Sequence, residues 1–114
     1  MQKGKHMTKY IVSIATATTS ELPGVSFFTT DCDVEPLVVD DGTGRTRTFD
    51  TGTDAWKAWI EAKEQYCASY KTQGWTVVED PYNGADALTL TIERGGVRSD
   101  RVMRATVIPV RMDG

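Results

Sequence analysis

Phe49-Asp50-Thr51-Gly52-Thr53-Asp54-Ala55-Trp56-Lys57-Ala58-Trp59-Ile60 is the stretch on which the fold turns. It ends one element and begins another. Thr53 carries the side chain of a helix N-cap, and Asp54 sets negative charge against the positive end of the helix dipole. From there apolar residues recur at helical spacing. Ala55, Trp56, Trp59, Ile60, Ala62, Tyr66, Cys67 and Tyr70 fall within an arc of roughly 160° on a helical wheel. Lys57, Glu61, Glu64, Gln65 and Lys71 lie outside that arc. Gly74 supplies a stop, because glycine takes the left-handed conformation without a Cβ clash. The spacing predicts one amphipathic helix over residues 54–73.

On both sides of this helix the period changes from 3.6 to 2. Tyr10, Val12 and Ile14 alternate with Lys9, Ile11 and Ser13, which predicts a strand over 8–18. Residues 21–24 (Glu-Leu-Pro-Gly) read as a turn, and 25–30 reads either as a short strand or as a loop. Residues 36–40 and 45–49 form a hairpin pattern around Asp41-Gly42-Thr43-Gly44. After the helix come a strand at 75–79, a strand in which Leu88, Leu90 and Ile92 alternate with Thr89, Thr91 and Glu93, and a strand at 101–110. Pro109 cannot donate a ladder hydrogen bond and suits an edge or a strand end. The expected architecture is α+β: an antiparallel or mixed sheet of five to seven strands with the helix across one face, in the order β-(β)-β-β-α-β-β-β.

The chain has 114 residues, enough for one domain. Residues 1–6 read as a cloning leader and 7–114 as the natural domain. That division matters because His6 is the only histidine. Without it no Ser-His or Cys-His nucleophile pair and no His-ligated zinc site is available. Cys32 and Cys67 lie in no motif and read as reduced thiols. No signal peptide and no membrane-spanning stretch is present in the sequence, which suggests a soluble, cytoplasmic domain. No pattern calls for a cofactor or a metal.

The formal net charge is -3, and without Lys3 and Lys5 it is -5, from 11 basic and 16 acidic residues. An acidic balance disfavours general binding to phosphate backbones. The charge is uneven. Residues 21–54 are acidic, with Asp31, Asp33 and Glu35 on alternate positions, while residues 87–114 hold Arg94, Arg98, Arg101, Arg104 and Arg111. The three acids have the opening spacing of a calcium loop, but Pro36 and Gly42 stand where that loop needs glycine and glutamate. They read instead as one face of a strand.

Asp50-Thr51-Gly52, preceded by Phe49 and followed by Thr53, resembles the active-site signature of aspartic proteases. Residues 36–39, a glycine turn and a second strand lead into it, as in the small retroviral-type enzymes. The resemblance covers about 20 residues. It implies a homodimer that pairs two copies of Asp50 so that they share one proton, with Thr51 and Gly52 shaping the turn. The pattern departs from that family where a capped helix begins directly after the motif. It departs again at Ile92-Glu93-Arg94-Gly95, which lacks the two apolar residues before a late glycine.

Lys63 falls near the middle of the apolar arc, between Trp56, Trp59 and Tyr70. Its stem either covers aromatic surface while the ammonium reaches water, or it marks a part of the arc left free for a partner. These readings lead to a small acidic, non-enzymatic domain of inhibitor, adaptor or accessory type, monomeric or homodimeric. It would bind another protein through Trp56, Trp59, Lys63 and Trp75 together with Asp31, Asp33 and Glu35. Two alternatives stand beside it: nucleic-acid binding through Arg94, Arg98, Arg101 and Arg104, and the homodimeric protease using Asp50.

Overall fold

A computed structural model describes residues 6–21, 28–37, 46–79 and 84–113. Five strands form one antiparallel sheet in the order β2-β1-β5-β4-β3: β1 (His6–Glu21), β2 (Phe28–Pro36), β3 (Thr76–Val78), β4 (Ala87–Arg94) and β5 (Val97–Asp113). The helix α1 (Gly52–Thr72) comes between β2 and β3 in the chain and packs on one face. This is the α+β arrangement the periodicities predict, with a strand count at the low end of the expected range.

The boundaries differ in instructive ways. β1 and β5 pair without interruption from His6↔Asp113 to Glu21↔Arg98, so each outruns its alternating apolar core. Backbone pairing continues wherever the neighbouring strand offers partners, whatever the side chains. For the same reason β1 starts at His6, inside the expected leader. β2 runs through the acidic stretch to Pro36, so the strand expected near 25–30 is centred later in the chain. The hairpin expected at 36–40 and 45–49 lies largely outside the described residues. Its last residue, Phe49, bridges Tyr10 through two backbone hydrogen bonds of 2.8 Å. The helix begins two residues early because Thr51, not Thr53, is the N-cap: its hydroxyl accepts from the Asp54 amide at 3.1 Å. Its end follows expectation. Gly74 has φ 95°, in the region closed to most side chains.

Pro109 sits where its missing donor costs nothing. Tyr10, its partner, spends its own backbone groups on Phe49, so the Pro109 nitrogen points away from β1. On that side β4 has already ended at Ala87↔Arg104, so no described strand pairs with Pro109 there.

The core lies between α1 and the central strands. Val12, Ile14, Leu88, Leu90, Met103 and Ala105 come from the sheet, and Ala55 and Trp59 from the helix, with Leu37 and Phe49 closing one end. A helix of this length is about 31 Å long, whereas β1 and β5 extend about 55 Å. Among the described residues, part of the helix-side face of the sheet therefore has no helix over it, and no element packs on the opposite face. No helix among the described residues is long and apolar enough to cross a membrane.

Candidate functional site

The register decides which residues meet. Ile14 is opposite Glu35, Thr16 opposite Asp33 and Thr18 opposite Asp31. Ile14 faces α1, so the three carboxylates also stand on the helix side of the sheet. On β1, β4 and β5 these positions are largely apolar and packed. On β2 they are acidic and exposed, because α1 lies over the central strands and does not reach the edge.

A groove of about 390 Å³ results. Asp31, Asp33 and Glu35 form one wall, and Tyr66 and Tyr70 of α1 form the other. Thr16, Thr18 and Met103 make the floor, and Arg101 lies at one end. Among the described residues none of the three carboxylates is in an ion pair.

The aromatic wall is fixed from the core outward. Trp59 is 0% exposed and donates its indole N–H to the Ala85 carbonyl at 3.0 Å. Tyr66 lies tilted against it with ring centroids 6.4 Å apart, Tyr70 follows at 6.5 Å, and Trp75 meets Tyr70 edge-on at 5.8 Å. Arg101 completes the row. Its guanidinium lies 5.3 Å from the Tyr70 ring centroid and 4.7 Å from that of Trp75. It donates to the Thr18 hydroxyl at 2.9 Å and to the Tyr70 hydroxyl at 3.1 Å. Burial pushes the Tyr66 phenol above its ordinary range, helped by Tyr70 and then by the negative charge of Glu35.

The residues singled out in the sequence are thus sorted by the fold. Asp31, Asp33 and Glu35 share the groove. Trp59 does not reach the surface, because it is the largest fully buried side chain of the core. Trp56 is 39% exposed and stands beside Ile60, one helical turn on, but lines no part of the groove. Trp75 is half-buried under Arg101. Lys63 reaches toward the same Ala85 carbonyl that Trp59 engages, with its Nζ at 3.5 Å, so its stem lies along apolar surface as snorkelling requires. Tyr66 and Tyr70 were legible only as members of the apolar arc. The β1–β2 register that sets them opposite carboxylates was the missing signal.

The arginines do not form one stripe. Arg101 faces the helix side, and Arg104 and Arg98 face the other. Arg98 pairs with Asp100 at 3.3 Å and Arg104 with Asp86 at 3.1 Å, while Arg94 donates to the Gln73 carbonyl. Asp50 is an exposed side chain just before the cap Thr51, ion-paired to Lys9, which holds its carboxyl below the usual range by hydrogen bond and charge. A shared-proton pair needs the reverse, one carboxyl held high. Gly52, the third residue of that motif, opens the helix. Cys32 is exposed, Cys67 is half-buried, and both are free thiols. Among the described residues no group of histidine, cysteine, aspartate and glutamate side chains is placed to hold a metal ion.

No family model, no curated protein and no solved structure matches this chain.

Proposed function

We propose that this is a non-enzymatic protein-binding domain, and that the groove between β2 and α1 takes a basic, extended segment of its partner. The observation that carries the reading is the row Asp31, Asp33 and Glu35 on helix-side positions where the other strands place core residues. Carboxylates there contribute nothing to packing, none is in an ion pair among the described residues, and three of them face a single lining cation, Arg101, at one end of the groove. Lysine or arginine side chains entering the groove would find charge on one wall and the faces of Tyr66 and Tyr70 on the other. Both attract cations. The acidic balance of the chain adds longer-range attraction for a basic partner.

The contact surface therefore moves from Trp56 and Trp59 to Tyr66 and Tyr70, while the acidic segment stays. The test is titration of a fluorescent peptide with alternating lysines, against an alternating glutamate peptide of equal length. The basic peptide should bind and weaken as salt rises. The double change Asp31→Asn and Asp33→Asn should weaken it about tenfold, roughly 1.4 kcal/mol. Equal binding by the neutralised domain would end the reading.

A further inference from the structure

We infer that the groove selects arginine over lysine in the basic segment it is proposed to take, a selectivity that rests on that reading. The chain itself shows how a guanidinium sits there. Arg101 lies against the rings of Tyr70 and Trp75, 5.3 Å and 4.7 Å from their centroids. Its Nε donates to the Thr18 hydroxyl at 2.9 Å and its Nη1 to the Tyr70 hydroxyl at 3.1 Å. A guanidinium can do both at once because it is planar: the face stacks on a ring while the edge donates. An ammonium has no such plane, and it holds its water more strongly.

The register repeats this arrangement further along the groove without the cation. Arg101, Thr18 and Asp31 form one row across β5, β1 and β2, and Met103, Thr16 and Asp33 form the next row on the same face. Above them on α1, Tyr66 stands one turn before Tyr70, with ring centroids 6.5 Å apart. The second row thus keeps the tyrosine and the carboxylate but has buried Met103 where the first has Arg101. Glu35 lies one row further, opposite Ile14, and its charge is felt by the Tyr66 phenol, so ring and carboxylate are neighbours. An arginine entering from a partner would lay its guanidinium on Tyr66 and give its edge to Glu35. A carboxylate takes that edge through two parallel N–H···O bonds. Lysine gains the attraction of both walls, but neither the flat stack nor the paired bonds.

Three fluorescent peptides of equal length, with alternating arginine, lysine or glutamate, test this by titration of the whole chain at one ionic strength. The arginine peptide should bind about tenfold more tightly than the lysine peptide. Equal binding by the two overturns the inference and leaves the basic-segment reading standing, whereas no binding by either ends both. Glu35→Gln, at an exposed side chain, should weaken the arginine peptide more than the lysine peptide, because a carboxamide offers one acceptor oxygen in place of two. Tyr66→Leu removes the ring and should erase the preference. If circular dichroism shows that Tyr66→Leu disturbs folding, Glu35→Gln decides alone. A preference of undiminished size in Glu35→Gln overturns the inference, since arginine would then be favoured by something other than this pair.

Discussion

On the side of the sheet beneath α1, alternate positions of β1, β4 and β5 carry Val12, Ile14, Leu88, Leu90 and Met103, each buried. One residue along, on the other side, the same strands and β2 carry Ile11, Val102, Ile108 and Val34, which no element among the described residues covers. Both sides are apolar at their centre, and they differ in what surrounds it. The helix side grades into carboxylates at the β2 edge, with a tyrosine wall above them. The open side grades into serine and threonine, with Arg104 near its middle and its other charges toward the ends. The first pattern seats a core and leaves a charged margin beside it.

The largest effect expected from breaking this contrast is at Trp59. Trp59→Ala removes the biggest buried side chain and leaves the Ala85 carbonyl to Lys63 alone. It should cost about 3–5 kcal/mol in urea unfolding, a large share of the stability of a domain of this size. Val34→Ala on the open face should change the monomer's stability by less than about 0.5 kcal/mol. Similar losses at the two positions would mean that the open face is already part of a packed layer.

A smaller effect separates two arginines of one strand. Arg101 lies under Tyr70 and Trp75 and holds two side-chain hydrogen bonds, whereas Arg104, on the other face, pairs with Asp86 in an exposed contact. Arg101→Ala should cost about 1–3 kcal/mol in the same unfolding measurement, through the lost cation–π contacts and the unpaired Thr18 and Tyr70 hydroxyls. Arg104→Ala should cost under about 1 kcal/mol. In the sequence the two are equivalent members of an arginine cluster. The odd separation of three positions is what puts them on opposite faces.

That pair shows where legibility ended. The helix, its stop at Gly74 and most strands were readable because each leaves a periodic trace within its own residues. Trp59 and Trp56 could not be told apart as core and surface, since both fall in the apolar arc. Only the position of the sheet beneath the helix decides between them. The groove was half legible. The alternation of Asp31, Asp33 and Glu35 marked a strand face, but which way that face turned depended on pairing with β1, a contact 13 to 21 residues away in the chain. The cap was misplaced by two residues because Thr51 and Thr53 offer the same hydroxyl, and strand pairing at Phe49 decides where the chain turns into the helix.

The subtlest test of the contrast is the titration of Tyr66. Its phenol is held above the ordinary value of 10.0 by burial, then by Tyr70, then by Glu35. A phenol whose folded pKa is raised contributes stability that is fully present below the unfolded pKa. That stability is lost as pH rises through the raised folded value. The alkaline limb of the stability curve should therefore contain a tyrosine contribution that Tyr66→Phe removes. Glu35→Gln removes only the third cause, so the Tyr66 midpoint, followed by phenolate absorbance near 295 nm, should fall part of the way toward the ordinary value. Val34 is adjacent in sequence but points to the opposite face. Val34→Gln should leave the midpoint where it was. If both substitutions moved it equally, the carboxylate would not stand in the groove with Tyr66, and the two faces would not be electrostatically separate. If neither moved it, the Glu35 charge would be lost to solvent, and a cation in the groove would gain correspondingly little from that wall.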